Sequence, residues 1–229
     1  MNEKGYSLKD FLLSKLDEHE NLFKTITGFK EEEKLTYQQK LSHFKSLHQP
    51  TINADTQEKG KALEELVTFL FNTTSIFKVL ENIHTSTNEI DLIMTLNSRG
   101  NRLSAEGFLD DKFNIFLAEC KNYKKTIGVT WVGKFWSLLN SSPAKLGIIF
   151  SYHGLSGKNW ADGIGLTKKI YMSKESIEDK IYIIDFNIED FEQIMEGDSI
   201  LDIIDYKIKS LMLDVDDYKK FLSNHPSQE

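Results

Sequence analysis

The chain has 229 residues, 40% of them hydrophobic and 28% charged, a composition that can form a buried core and excludes a wholly disordered protein. Its single cysteine excludes an internal disulfide framework and a cysteine-rich zinc site. No apolar run approaches the roughly 18 residues that a membrane-spanning helix needs, and the first residues show no secretion signal. We therefore expect a cytoplasmic protein that does not contact a membrane.

The formal net charge of −7 is distributed unevenly along the chain. Residues 112–174 contain ten lysines and two acidic residues, whereas residues 175–229 contain fifteen acidic residues and five lysines. Contacts between basic side chains and phosphates supply most of the sequence-independent affinity for nucleic acids. The basic segment therefore favours a polyanionic partner, although a lysine-rich segment taken alone is more often a solvated surface.

Residues 1–50 are predicted to form an N-terminal helical extension of two or three helices. Apolar residues recur there at helical spacing, at Leu8, Phe11, Leu12, Leu16, Leu35, Leu41, Phe44 and Leu47. Pro50 and the small polar residues after it interrupt this pattern and mark a boundary. Thr56 is a candidate N-cap for the helix that follows.

Residues 57–195 are predicted to form an α/β domain whose central mixed sheet has four or five strands flanked by helices. The predicted strands are 77–83, 89–96, 113–120, 146–151 and 181–186, and the predicted helices are 57–71, 129–139, 160–170 and 188–195. Composition predicts a turn or loop at 97–102, within the long connection of an antiparallel pair. Residues 196–229 are predicted to add an acidic C-terminal helical tail, interpreted as a solvated helix face or an oligomer contact.

Asp91, Glu119 and Lys121 lie next to apolar strand runs and form a candidate catalytic cluster. Strand alternation places Glu119 and Lys121 on one face and Cys120 on the other. Two carboxylates beside an ammonium group suit a magnesium ion and the water that it activates. An edge-strand salt bridge without any chemistry would use the same residues.

Glu64 is a fourth candidate, because it lies at the edge of the apolar stripe of the predicted helix 57–71. Its neighbour Glu65 is the competitor, since the stripe favours Glu64 only mildly.

The resemblance to a known family rests on three segments: Gly60-Lys61-Ala62-Leu63-Glu64, Asn88-Glu89-Ile90-Asp91-Leu92-Ile93 and Ala118-Glu119-Cys120-Lys121-Asn122-Tyr123. Together they resemble the PD-(D/E)XK nuclease superfamily, and within it the Mrr-type restriction endonucleases. The helix, strand and helix predicted after the third segment extend the resemblance over roughly residues 60–191. It implies a restriction-endonuclease-like fold and a divalent-metal-dependent endonuclease that hydrolyses DNA, with a role in restriction or defence.

Two positions depart from the subgroup pattern. Glu119 stands where the Mrr-type group commonly has glutamine, and Ile90 stands where a proline often precedes the first aspartate. Neither change removes a metal ligand, and Glu119 brings the triplet nearer to the general superfamily form.

The resemblance also implies a role for each candidate residue. Asp91 and Glu119 would bind Mg²⁺, or Mn²⁺ as a substitute, with the backbone carbonyl of Cys120 as a further ligand. Lys121 would orient or help to deprotonate the attacking water. Glu64 would complete the ligand set directly, through water, or at a second metal.

Contacts to DNA are predicted at Lys124, Lys125, Lys134, His153 and Lys158, although His153 is equally compatible with an ordinary loop histidine. A homodimer would suit the cutting of two antiparallel strands. The alternatives are a DNA-binding or scaffold protein with a degenerate nuclease fold, and a nuclease that acts on RNA or branched DNA.

Overall fold

Five strands form one open mixed sheet in the computed structural model, which describes residues 28–52, 54–84, 89–157 and 161–215. The strands are β1 (Phe77–His84), β2 (Glu89–Leu96), β3 (Ile115–Cys120), β4 (Leu146–Phe150) and β5 (Tyr182–Phe186). Their order across the sheet is the same as their order along the chain. The first three pair antiparallel, and the last three pair parallel. The predicted mixed α/β architecture is confirmed.

Helices cover both faces of this sheet. Within the described residues they are α1 (Glu31–Ser46), α2 (Thr56–Thr73), α3 (Ser98–Ala105), α4 (Val129–Asn140), α5 (Gly163–Met172), α6 (Ile188–Glu196) and α7 (Ile200–Leu213). Helices α1, α2, α6 and α7 contribute to the larger apolar cluster on one face, and α4 and α5 to the smaller cluster on the other. Strand β4 is buried on both faces, as its uninterrupted apolar run predicts. None of these helices is long and apolar enough to cross a membrane.

Helices α1 and α7 pack into the same hydrophobic core as residues 57–195, the predicted α/β domain that lies between them in the chain. The buried Tyr37 hydroxyl of α1 donates a 2.7 Å hydrogen bond to the carbonyl of Phe191 in α6. In α7, Ile203 and Ile204 are fully buried in the larger cluster, so this part of the predicted tail is not simply a solvated helix face. The predicted helices before residue 28 and the tail beyond residue 215 lie outside the described residues, and the domain boundaries stay predictions.

The prediction of a turn or loop at 97–102 is wrong, because α3 begins directly after β2. The Oδ1 atom of Asn97 accepts hydrogen bonds from the amides of Arg99 at 2.9 Å and Gly100 at 3.1 Å. Asn97 also donates from Nδ2 to the carbonyl of Ser75 at 3.0 Å. Asparagine, serine and glycine are frequent in turns, but asparagine is equally favourable as a helix N-cap, and here it caps.

Smaller differences concern where elements begin. The N-cap of α2 is Asp55 and not Thr56, since the Asp55 carboxylate accepts a 2.7 Å hydrogen bond from the amide of Glu58. Strand β3 begins two residues after Phe113, which lies in a 3₁₀ turn. Helix α5 begins at Gly163, and Trp160 lies outside the described residues.

Gly100→Ala is expected to lower the free energy of unfolding by about 1–3 kcal/mol, because the added methyl group has no space. A Cβ at this position would lie 2.4 Å from the carbonyl oxygen of Ile76 and 2.8 Å from Cδ2 of Leu96. The Ile76 carbonyl is held by a 2.9 Å hydrogen bond from the Asn97 amide, so it cannot move aside without cost. Urea denaturation measures the change.

Gly133→Ala in α4 is the matched control, since its Cβ would meet nothing within 4 Å. Alanine has the higher helix propensity, and we expect a gain of about 0.5–1 kcal/mol. Equal effects of the two substitutions would contradict the packing of α3 against β2.

Candidate active site

The end of the β2–β3 ladder brings Asp91 and Glu119 together. The antiparallel register pairs Ile93 with Leu117 and Leu92 with Ala118, so Asp91 and Glu119 are the next residues in line. Leu117 packs in the cluster under α4 and α5, and residues two apart on a strand share a face. Asp91 and Glu119 therefore point to the α4–α5 side of the sheet, each with about a sixth of its side chain exposed.

Lys121 connects the two carboxylates. Its Nζ lies 3.1 Å from Oδ2 of Asp91 and 2.7 Å from Oε1 of Glu119. The backbone amide of Cys120 donates a further 2.8 Å hydrogen bond to Oδ2 of Asp91, and the amide of Lys121 donates to the carbonyl of Phe150 in β4 at 2.9 Å. The triplet is thus fixed on both sides, with its ammonium group between two acidic side chains.

Cys120 faces away from this cluster, as strand alternation predicts. Its side chain is buried in the larger apolar cluster that also contains Leu63 and Leu66 of α2. Burial raises the pKa of the Cys120 thiol well above its usual range. Only the backbone of Cys120 is therefore available to the charged cluster.

Burial and the charges of neighbouring side chains shift the pKa values of residues in this cluster. Burial, reinforced by the charge of Asp91, raises the pKa of Glu119. Burial acts against the charge of Lys121, but Glu119 and Asp91 outweigh it and raise the pKa of Lys121. The ammonium group is therefore protonated at neutral pH, and it neutralises part of the repulsion between the carboxylates.

Glu64 of α2 interacts electrostatically with the same cluster. The side chain is partly buried, and burial followed by the negative charge of Asp91 raises the pKa of Glu64, whereas Lys121 lowers it. Glu65 instead forms ion pairs with Lys40 at 3.4 Å and Lys61 at 4.0 Å on the surface. This arrangement favours Glu64 over Glu65, and the catalytic role of Glu64 stays a prediction.

Trp131 of α4 is a neighbour of the cluster that the sequence analysis did not identify. The Nζ atom of Lys121 lies 5.3 Å from the centroid of its ring, and that of Lys134 lies 4.6 Å away. Both distances are within the range of cation–π attraction. The sequence does contain a signal for this contact. Trp131 and Lys134 are three residues apart on the helix after the triplet, a spacing that brings side chains together.

The predicted DNA contacts are placed unequally. Lys124 and Lys125 are exposed in the segment that follows β3, and Lys134 is exposed beside Trp131. His153 is exposed at the carboxyl end of β4, where its ring contacts His48 and Tyr152. Lys158 lies outside the described residues.

Other lysines of the basic segment are neutralised locally. Lys112 lies 2.6 Å from a carboxylate oxygen of Asp110, and Lys168 lies 2.6 Å from one of Asp214. The positive charge of residues 112–174 is therefore less available at these positions than at Lys124, Lys125 and Lys134.

The donor chemistry of the cluster fits magnesium. Asp91 and Glu119 offer carboxylate oxygens, the ligands that this hard cation prefers. Lys121 contacts only one oxygen of each carboxylate in the interactions described above. In the described parts of the chain, however, no group of three or more His, Cys, Asp and Glu side chains is close enough to hold a metal ion. A complete ligand set would need the Cys120 carbonyl, or a movement of Glu64.

Comparison with known proteins adds no relative. No protein-family model matches the chain, and no match is found among curated proteins or among solved structures. The residues and geometry of the cluster are therefore the basis on which a function can be inferred.

Three aromatic rings join the end of α1 to the segment after β4. The His48 ring stacks on Tyr152, with centroids 3.8 Å apart and planes 15° apart, and His153 lies edge-on to His48 at 5.7 Å. Burial, with the charge of Lys59 acting in the same direction, lowers the pKa of His48 from 6.5 to about 4. His48 is therefore neutral in the folded protein at neutral pH.

His48→Phe is expected to reduce the acid sensitivity of the fold. A folded pKa below the unfolded one gives stability that is present above 6.5 and lost as the pH falls toward 4. Because the ring is only partly buried, we expect the wild type to lose only about 1 kcal/mol more than the variant between roughly pH 7 and 5. Urea denaturation across this range measures the difference.

His43→Gln provides the control, since His43 is exposed in the last turn of α1. This variant should lose as much stability as the wild type on acidification. If His48→Phe does the same, the stacked ring is not a source of the pH dependence.

Proposed function

We propose that this chain is a divalent-metal-dependent endonuclease that hydrolyses DNA phosphodiester bonds. The observation that carries the proposal is the convergence of Asp91, Glu119 and Lys121 at one strand end, with the Lys121 ammonium 3.1 Å and 2.7 Å from the two carboxylates. Asp91 of β2 and the Glu119-Cys120-Lys121 triplet at the end of β3 thus form a compact group of two anionic donors and one cation. Phosphodiester hydrolysis requires such charges around an activated water and a phosphoryl group.

In this proposal, Asp91 and Glu119 hold the cation, the Cys120 carbonyl supplies a further oxygen, and Glu64 completes the set. A bound magnesium ion would polarise a phosphoryl oxygen and lower the pKa of a coordinated water. The raised pKa of Lys121 favours its role as a charged group that orients the water and stabilises the phosphate over a role as a base. The Asp91 carboxylate, held by the Cys120 amide, keeps its position during the reaction.

We further propose a PD-(D/E)XK restriction-endonuclease-like fold. The support is an antiparallel hairpin that carries the acidic residues, followed by a parallel pair of strands with α4 between β3 and β4. DNA would lie over the exposed Lys124, Lys125 and Lys134. The role in restriction or defence, and the dimer that would cut both strands, follow from analogy with the family.

The test incubates plasmid and linear DNA, methylated and unmethylated, with Mg²⁺, Mn²⁺ or EDTA. We expect wild-type cleavage that EDTA abolishes, and a loss of at least about 100-fold in both Lys121→Ala and Asp91→Asn. The first removes the positive charge that faces the phosphate, and the second removes the charge of a proposed metal ligand. Glu64→Gln and Glu65→Gln form a matched pair on one helix. We expect cleavage to fall in the first and to stay at the wild-type level in the second.

The results separate three conclusions. If Lys121→Ala cuts as fast as the wild type, the assigned site is wrong. If the Glu65 variant loses activity and the Glu64 variant keeps it, the ligand assignment on α2 is wrong. If no protein cuts any DNA and none binds a divalent cation in a thermal-shift titration, the proposed enzyme activity is wrong.

A DNA-binding protein with a degenerate nuclease fold is the second candidate. It is favoured by the Lys121 ammonium, which already bridges the carboxylates, and by the lack of a three-residue metal group in the described chain. This candidate predicts DNA binding that is equal in EDTA and Mg²⁺, without cleavage. A thermal shift with Mg²⁺ that Asp91→Asn abolishes would contradict it.

A further inference from the structure

A polar groove lies beside the candidate active site, between α2 and the edge strand β1. Its volume is about 760 Å³, within the range of sites for small organic molecules. One wall is the polar side of α2, which includes Gln57, Glu64 and Asn72, and the opposite wall includes Asn82 of β1. Glu64 lines the groove on its α2 side. In the β1–β2 pairing Glu81 lies opposite Leu92 and Ile83 opposite Ile90, so the segment of β1 that carries Asn82 lies next to Asp91 of the charged cluster.

The charges of the groove do not suit a phosphate. Its two cations, Lys40 and Lys61, both pair with Glu65, at 3.4 Å and 4.0 Å. Glu64 and Glu81 add two further negative charges to its lining, so acidic side chains outnumber basic ones. A phosphate would therefore be repelled, and an uncharged ligand is favoured.

The neutral groups of the groove suit a flat ring that forms hydrogen bonds. Gln57, Asn72 and Asn82 provide amides that donate and accept, the groups that proteins use to bind the edges of bases. The Thr68 hydroxyl is buried in the groove wall and has no hydrogen-bond partner in the described chain. Phe69 adds an aromatic side chain, and aromatic rings stack on bases of any sequence.

We propose that this groove binds the base of an unpaired nucleotide in the DNA strand that lies next to the active site. The inference rests on the proposed nuclease function, because Glu64 lines the groove and belongs to the proposed metal site. A base can enter such a groove only after leaving the helical stack, which is least costly where it is mismatched or unpaired. The protein then prefers a strand with an unpaired base to a fully paired duplex.

The experiment measures binding in EDTA, so that no DNA is cut. Fluorescence anisotropy compares labelled duplexes that are fully paired, contain one unpaired base, or contain an abasic residue at the same position. We expect the wild type to bind the duplex with the unpaired base about tenfold more tightly than the other two. Equal affinity for all three duplexes would overturn the inference.

Asn72→Ala and Thr68→Val test the groove itself. Each removes a polar group, and we expect each to reduce the preference about threefold while leaving the affinity for the paired duplex unchanged. Thr68→Val replaces a buried hydroxyl without a partner by a methyl group, so the fold should not be destabilised. Thermal denaturation verifies this for both variants.

The exposed residues Asn140 and Thr130 of α4 provide matched controls as Asn140→Ala and Thr130→Val. Both should keep the full preference. A preference that persists in both groove variants, or that disappears equally in the controls, would overturn the assignment. Displacement of the DNA by micromolar free deoxynucleosides would show a free-nucleotide site and would also overturn it.

Cleavage in Mg²⁺ distinguishes failure of the inference from failure of the proposed function. Lys121-dependent cutting without a preference for unpaired bases would contradict the groove assignment alone. A groove-dependent preference in EDTA, with no cutting of any DNA in Mg²⁺, would contradict the nuclease proposal and support the groove as a base-binding site.

Discussion

The hydrogen bond from the Cys120 amide to Oδ2 of Asp91 is the contact on which the arrangement of the charged cluster depends. Amide groups along a strand point alternately to the two neighbouring strands. At the end of β3 the Lys121 amide is taken by β4, and the Cys120 amide is left facing β2, where the ladder has ended. The Asp91 side chain accepts this bond, and the Lys121 ammonium pairs with this carboxylate and with that of Glu119. Backbone pairing thus positions the charges.

Local sequence patterns predicted the strands, because strands appear as apolar runs or as an alternation of apolar and polar residues. The same patterns indicated three members of the charged cluster. Asp91, Glu119 and Lys121 stand where those runs meet polar residues. Tertiary contacts decide what the patterns could not. The choice between Glu64 and Glu65 depends on Lys40 from another helix, and α3 depends on the Asn97 cap, which composition alone does not distinguish from a turn. The relation to the nuclease superfamily remains a prediction from the quoted residues.

The net charge of this protein does not describe the charge of each part of its surface. A net charge of −7 would repel DNA if it were uniform, but the structure separates the lysines into two kinds. Lys112 and Lys168 are paired with acidic neighbours, whereas Lys124, Lys125 and Lys134 are exposed on the segments that follow β3. The lining of the groove beside β1 instead contains more acidic than basic side chains, with Glu64, Glu65 and Glu81 against Lys40 and Lys61.

Strand β1 has a consequence for how copies of this chain can associate. It lies at the edge of the sheet, and an open edge is a template for pairing with another strand. Lys78, Glu81 and Asn82 are exposed along it, and Asn82 has a left-handed backbone with φ of 50°. Exposed charges and a local break in the extended backbone both oppose the joining of two sheets into one. Two copies of the chain are therefore not expected to join their sheets through this edge.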